Sequence, residues 1–304
     1  MRNATLRQLR TFTEVARRLS FTAAAKALYL TQPAVSMQMR QLEIAAGLPL
    51  FEQVGKRIQL TDAGREMLRC AAGVSDLLRE AGDAMKALQG VGGGELHLAV
   101  VTTAKYFAPK LLAEFRRLHP EATLRLTVSN REAMVSGLAE NTVDLVIMGR
   151  APRGLDTVAV PFAQHPLAII AAPDHPLARK QRIAFARLKQ ETFIIRERGS
   201  GTRMAMEQFF TAHRFRPAET VEMSSNETIK QAVMAGMGVS FLSLHTAGLE
   251  IATKRITALD VAGTPVMRAW HVVHREKKRL SPVAQAFKQF LLERGTVLVG
   301  RAVG

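Results

Sequence analysis

Leu6, Leu9, Phe12, Ala16 and Leu19 recur at helical spacing and predict a first helix over 5–19. Ser20 ends it and opens a short Ala-rich helix over 21–28. Tyr29-Leu30-Thr31 then breaks the pattern. Thr31 suits the cap of a third helix, with Pro33 in the first turn, where a missing N–H costs nothing. Val35, Met39, Leu42 and Ala46 point this helix at a core, and Gly47 stops it. Its opposite face is polar, carrying Gln32, Ser36, Gln38, Arg40 and Gln41. Two helices, a tight turn and a polar outer face on the second predict a helix-turn-helix. Leu50-Phe51-Glu52-Gln53 and Arg57-Ile58-Gln59-Leu60 alternate as two short strands about Val54-Gly55-Lys56, which adds a wing. The head therefore spans 1–60.

The period changes after Thr61, which caps a long linker helix over 61–90. Met67, Ala71, Val74, Leu78, Ala81, Met85 and Leu88 follow alternating four-three spacing, an a/d seam that calls for a partner helix. The expected result is a homodimer with its two recognition helices on two half-sites. Cys70, beside the seam, reads as a buried inert thiol. The glycines of 91–94 form a hinge. A dinucleotide loop needs a strand before the glycines and a helix after, and here the order is reversed.

From 95 to 304 strands alternate with helices, which predicts a parallel sheet with crossover helices. Strands at 96–101, 124–128 and 144–148 end in Thr102-Thr103, Ser129-Asn130 and Gly149-Arg150. A second α/β lobe over 165–267 adds strands at 167–172 and 193–195. It carries Gly199-Ser200-Gly201-Thr202 at a helix start, an anion cradle of N–H groups and hydroxyls. The chain then returns to the first lobe, 95–164 with 268–304. Ligands gather at the carboxyl ends of such strands. The candidate effector residues are Thr102, Thr103, Asn130, Arg150, Ser200, Thr202, Arg203 and Asn226, with Lys105 and Arg198 at the edge. Hydroxyls, helix N-termini and cations together favour an anionic ligand.

Charge sharpens the picture. Net charge is +16, a bias that implies a polyanionic partner. Thr31 and Arg40 suit phosphate, and Lys56 and Arg57 near the wing tip suit phosphate or a minor groove. One cysteine excludes an intramolecular disulfide and argues against a Cys-based metal site. No apolar run approaches a membrane span, and the first residues open an amphipathic helix rather than a signal peptide, so a cytoplasmic protein without membrane or cofactor is expected. Catalysis is disfavoured: no His-Glu-x-x-His spacing occurs, and Ser200 has no neighbouring His or Lys to act as base. A solute-binding protein shares two lobes but has no winged head.

Several short motifs in order carry a resemblance. Ser20-Phe21-Thr22-Ala23-Ala24-Ala25, Thr31-Gln32-Pro33-Ala34-Val35-Ser36, Gln41-Leu42-Glu43, Pro49-Leu50-Phe51 and Leu60-Thr61-Asp62-Ala63-Gly64 resemble the LysR-type transcriptional regulators. That implies an all-α-rich winged head, a long dimerising helix and a two-lobed, periplasmic-binding-protein-like α/β effector domain. It implies base contacts by Gln32, Pro33 and Ser36, a homotetramer, and RNA polymerase as a further partner. Where the family often has Arg, this chain has Met37, which offers a thymine methyl contact in place of a guanine fork. Thr103-Ala104-Lys105-Tyr106-Phe107-Ala108-Pro109, Ser129-Asn130-Arg131-Glu132 and Met148-Gly149-Arg150 resemble the branch controlling the Calvin-cycle carbon dioxide fixation operon. That branch implies an activator responding to ribulose bisphosphate, phosphoenolpyruvate, ATP or NADPH. A regulator of another metabolic operon is the alternative.

Overall fold

The computed structural model describes Met1 and residues 4–55, 57–88 and 93–300. Two compact units emerge: Met1–Gly82 with Ala139–Thr142, and Asp83–Leu138 with Val143–Gly304.

In the first unit, α1 (Leu6–Arg18), α2 (Phe21–Ala27) and α3 (Gln32–Ala46) start at Thr5, Ser20 and Thr31, each accepting a hydrogen bond from its own first turn. Thr5 and Gln8 close a reciprocal capping box. Gly47 ends α3 in the left-handed conformation. Phe12, Val15, Ala24, Val35, Met39, Leu42 and Leu50 fill the core. Strands β1 (Phe51–Val54) and β2 (Arg57–Leu60) pair antiparallel as the wing. Glu43 on α3 accepts hydrogen bonds from the Leu50 and Phe51 amides at 2.8 and 3.3 Å, fastening the wing to the recognition helix. Gly64 sits so close to the chain that a Cβ there would stand 2.1 Å from the Leu50 carbonyl. Only glycine permits that approach.

The linker helix α4 (Asp62–Leu88) corrects two expectations. Met67 and Ala71, the first positions of the seam, are buried in the head's own core. The seam free to meet another chain therefore starts later, with Leu78, Ala81 and Met85 exposed alongside Leu77. Cys70 is exposed rather than buried, because the helix turns Ala71 inward and Cys70 away. Of the predicted hinge at 91–94, residues 91 and 92 lie outside the described residues, as does Lys56.

The second unit is built on one sheet, ordered β10-β6-β11-β5-β3-β4, with β9 also on β6. Here β3 is Glu95–Val101, β4 Thr123–Ser129, β5 Leu145–Met148, β6 Thr157–Ala171, β9 Ser240–Ser243, β10 Thr257–Ala258 and β11 Val266–Arg275. β3, β4 and β5 run parallel, but β6 and β11 pair antiparallel with each other and β11 antiparallel with β5. The sheet is thus mixed, correcting the expected parallel sheet. The long β6 and β11 continue from one lobe into the other, where a short strand had been expected to begin at 167. Helices α5 (Ala108–Leu118), α6 (Arg131–Ala139) and α10 (Pro282–Gly300) contribute buried residues to the first lobe's core, beside Trp270. In the second lobe β7 (Thr192–Arg196) and β8 (Glu219–Met223) pair in parallel. There α7 (Gly201–Ala212), α8 (Asn226–Met234) and α9 (Leu244–Ala252) complete the unit around two further apolar clusters.

Candidate functional site

On α3, Gln32 donates to Ser36 at 2.9 Å, so these two predicted base readers form one exposed polar pair. Met37 is 60% exposed beside them, and Pro33 and Arg40 are also exposed. Thr31 is occupied as the helix cap, at 3.4 Å from the Ala34 amide. Gln38 departs from the expected outward placement. It is half-buried and accepts from Thr11 on α1 at 2.7 Å, a contact that fixes α3 to the head. Arg57 is exposed at the start of the second wing strand. The arrangement offers hydrogen-bonding groups and an apolar methyl in one row, the chemistry of base edges in a major groove.

The second unit holds a pocket that is continuous with solvent. The parallel strands deliver its walls at their carboxyl ends: Thr102 and Thr103 after β3, Asn130 and Arg131 after β4, Gly149 and Arg150 after β5, and Arg196 at the end of β7. The first turn of α7 adds Ser200, Gly201 and Thr202. Ser200 caps α7, and Asn130 caps α6 by accepting from the Ala133 amide at 3.0 Å. The Ser200 hydroxyl accepts from the Thr202 and Arg203 amides at 3.3 and 3.5 Å.

Four predicted effector residues lie elsewhere. Asn226 is buried and accepts from Arg196 Nη1 at 2.5 Å. Arg203 turns away to Glu207 at 2.8 Å, to Glu222, and to the Arg196 carbonyl at 2.9 Å. Lys105 pairs with Glu227 at 3.7 Å, and Arg198 is exposed off the cavity wall. In each case the local sequence is adjacent to the cleft, but a nearby carboxylate, a buried cation or the turn geometry takes the side chain.

The structure instead adds Arg131, His165, Arg196, Met204, Gln208 and Arg268. Arg131 directly follows Asn130 in a motif the sequence shows, so it was within reach. Arg268 comes from near the start of β11 and His165 from the middle of β6, whose pairing no local pattern signals. Arg196 is buried and compensated by Glu197, which accepts at 2.7 Å from both Nε and Nη2. It also donates to Thr102 at 3.2 Å, holding that residue at the cleft wall. Arg131 donates to the carbonyls of Arg150 and Ala151 at 2.6 and 3.0 Å. Among the described residues no carboxylate lines the cavity. Burial first, then the neighbouring cations, push Arg131 and Arg268 below the ordinary arginine value, with Arg150 acting on both. Three guanidinium groups that repel one another are relieved by an anion.

Comparison with known proteins decides the family. Residues 6–65 match the bacterial regulatory helix-turn-helix of the lysR family, and residues 89–296 match the LysR substrate binding domain. The chain belongs to the LysR family of transcriptional regulators. It is 48% identical to the HTH-type transcriptional regulator CfxR of Cupriavidus necator over 304 residues, covering 100% of this chain and 96% of that one. It is 50% identical to the RuBisCO operon transcriptional regulator of Allochromatium vinosum over 290 residues, 95% and 96% of the two chains. Among solved structures, the regulatory domain of CcmR from Synechocystis PCC6803, in complex with 2-phosphoglycolate, matches with a TM-score of 0.63 and 42% identity. That match covers 66% of this chain and 96% of that domain. Among the described residues no helix is long and apolar enough to cross a membrane, and no cluster of metal-binding side chains occurs.

Proposed function

We propose that this chain is a cytoplasmic DNA-binding regulator that activates carbon dioxide fixation genes in response to a small phosphorylated metabolite held in the cleft of its second unit. The observation that carries the ligand class is the cavity itself: Arg131, Arg150 and Arg268 with no carboxylate among the lining residues. The gene target rests on near full-length likeness to the regulators named above. Gln32, Ser36 and Met37 read bases, assisted by Pro33, while Thr31, Arg40, Lys56 and Arg57 engage phosphates. Thr102, Thr103, Asn130, Arg150, Ser200 and Thr202 join the arginines around the ligand. The exposed Leu78 and Met85 meet a second copy along the linker helix, and two dimers assemble into a tetramer on promoter DNA. Ligand binding shifts the balance between conformations of the effector unit and so the bend imposed on the DNA.

The test is footprinting and gel shift on DNA upstream of a Rubisco operon at fixed salt. Each of 2-phosphoglycolate, ribulose bisphosphate, phosphoenolpyruvate, ATP and NADPH is added in turn. A footprint that shortens or tightens with one of them supports the proposal and identifies the ligand. Specific binding to another promoter, unmoved by these compounds, favours a regulator of a different operon.

A further inference from the structure

His165 lines the cleft without a hydrogen-bond partner. It lies on β6 directly across from Arg268 on β11, so both side chains leave the sheet on one face. Its ring is 4% exposed and stacks on Trp270, with centroids 3.8 Å apart and planes 16° from parallel. Gly149 leaves the room it needs, since a Cβ there would stand 2.9 Å from His165 Nδ1. Both ring nitrogens are buried without a hydrogen-bond partner, yet the residue lines the same cavity as Arg150 and Arg268. Native structures pair nearly all buried polar atoms. A phenyl ring would fill the same stack without stranding two nitrogens, so the imidazole awaits a partner that the protein does not supply.

We propose that His165 contacts the effector directly and, beside Arg268, selects ligands that present an anionic oxygen at this point of the cleft wall. The inference rests on the cleft being the effector site. A neutral imidazole offers one N–H donor and an imidazolium two, so an anion favours the charged form. The groups bearing on His165 are His245 from α9, Arg268 and His271 from β11, and Arg150 beside Arg268. Burial, and after it His245, Arg268 and His271, push the ring well below the ordinary histidine value. A bound anion offsets the charge of Arg268 and Arg150. The ring then takes a proton from solvent as the ligand enters, and affinity rises as pH falls.

The experiment is isothermal titration of the full-length chain with 2-phosphoglycolate, and separately with inorganic phosphate. Titrations run at pH 7.5 in two buffers of different ionisation heat. The wild type is compared with His165→Gln and with His165→Phe, which keeps the stack on Trp270; thermal unfolding checks that both fold. The expected result is proton uptake by the wild type in excess of His165→Gln, the ligand's own titration being common to both. His165→Phe should weaken 2-phosphoglycolate by about tenfold or more. Trp270, the sole tryptophan, should lose emission in the wild type at saturation. Wild-type affinity in His165→Phe, or wild-type proton uptake in His165→Gln, overturns the proposal. A wild type that binds neither probe overturns the cleft reading, and this inference with it.

Discussion

The outer face of α3 and the cleft of the second unit are both polar, but they are built on opposite principles. The helix face is exposed and mostly neutral, with Gln32 and Ser36 bonded to each other and Met37 bare to solvent. The cleft is cationic, and among its described lining residues three guanidinium groups have no carboxylate beside them. A helix face can be made by one stretch of sequence and left in water until DNA replaces the water. A cluster of like charges must be held by strands from several parts of the chain, and its repulsion is a cost the scaffold bears until an anion arrives. The first surface suits recognition by many weak, sequence-specific contacts, the second recognition by charge.

The comparison breaks most visibly at Gly64. Gly64→Ala drives a methyl into the Leu50 carbonyl and should destabilise the head by about 3 kcal/mol. Thermal unfolding should register the loss while ligand affinity stays unchanged; equal loss of both would mean the head and the cleft are not independent. Arg150→Ala tests the other side. Removing one charged donor should weaken a phosphorylated ligand by about 2 kcal/mol, roughly 30-fold, and leave DNA affinity without ligand intact. Calorimetry and gel shift read the two quantities separately.

A third test uses pH. Burial pushes His245 down to about 4, so the unfolded chain binds a proton that the folded one refuses. The stability this histidine contributes is fully present above the unfolded value near 6.5 and is lost as pH falls toward 4. Between pH 6.5 and 5 the loss should be about 2 kcal/mol, and His245→Phe should remove that part of the slope in pH-dependent unfolding curves.

Gln32→Ala should cost about 1–2 kcal/mol of discrimination between operator and random DNA, measured as a ratio of affinities at one salt concentration. The smallest effect is expected at Arg203. Its guanidinium is already committed to Glu207 and Glu222, so Arg203→Ala should move ligand affinity less than about twofold by titration. A large loss there would return Arg203 to the ligand contacts.

Short-range features were legible in the chain itself. The caps Ser20 and Thr31, the stop at Gly47, the hairpin at 51–60 and the polar row on α3 each depend on residues within a few positions of one another. Hydrogen bonds of the backbone and helical periodicity act over that range. The strand ends bearing Thr102, Asn130 and Arg150 were legible for the same reason, since an alternating strand and helix pattern announces where strands finish.

What the sequence alone could not determine was which side chains would be taken. Gln38 is claimed by Thr11, and Asn226 by Arg196. Arg203 is claimed by its carboxylates and Met67 by the head core. The pairing of β6 with β11 set His165 beside Arg268 from positions about a hundred residues apart. Local propensity carries no information about such partners, because strand register and long-range charge balance are decided only when distant segments pack. The sequence by itself therefore determined the elements of the head, the family and the polar outer face of α3, while the tertiary structure alone decided which cations stand in the cleft and which imidazole lies among them.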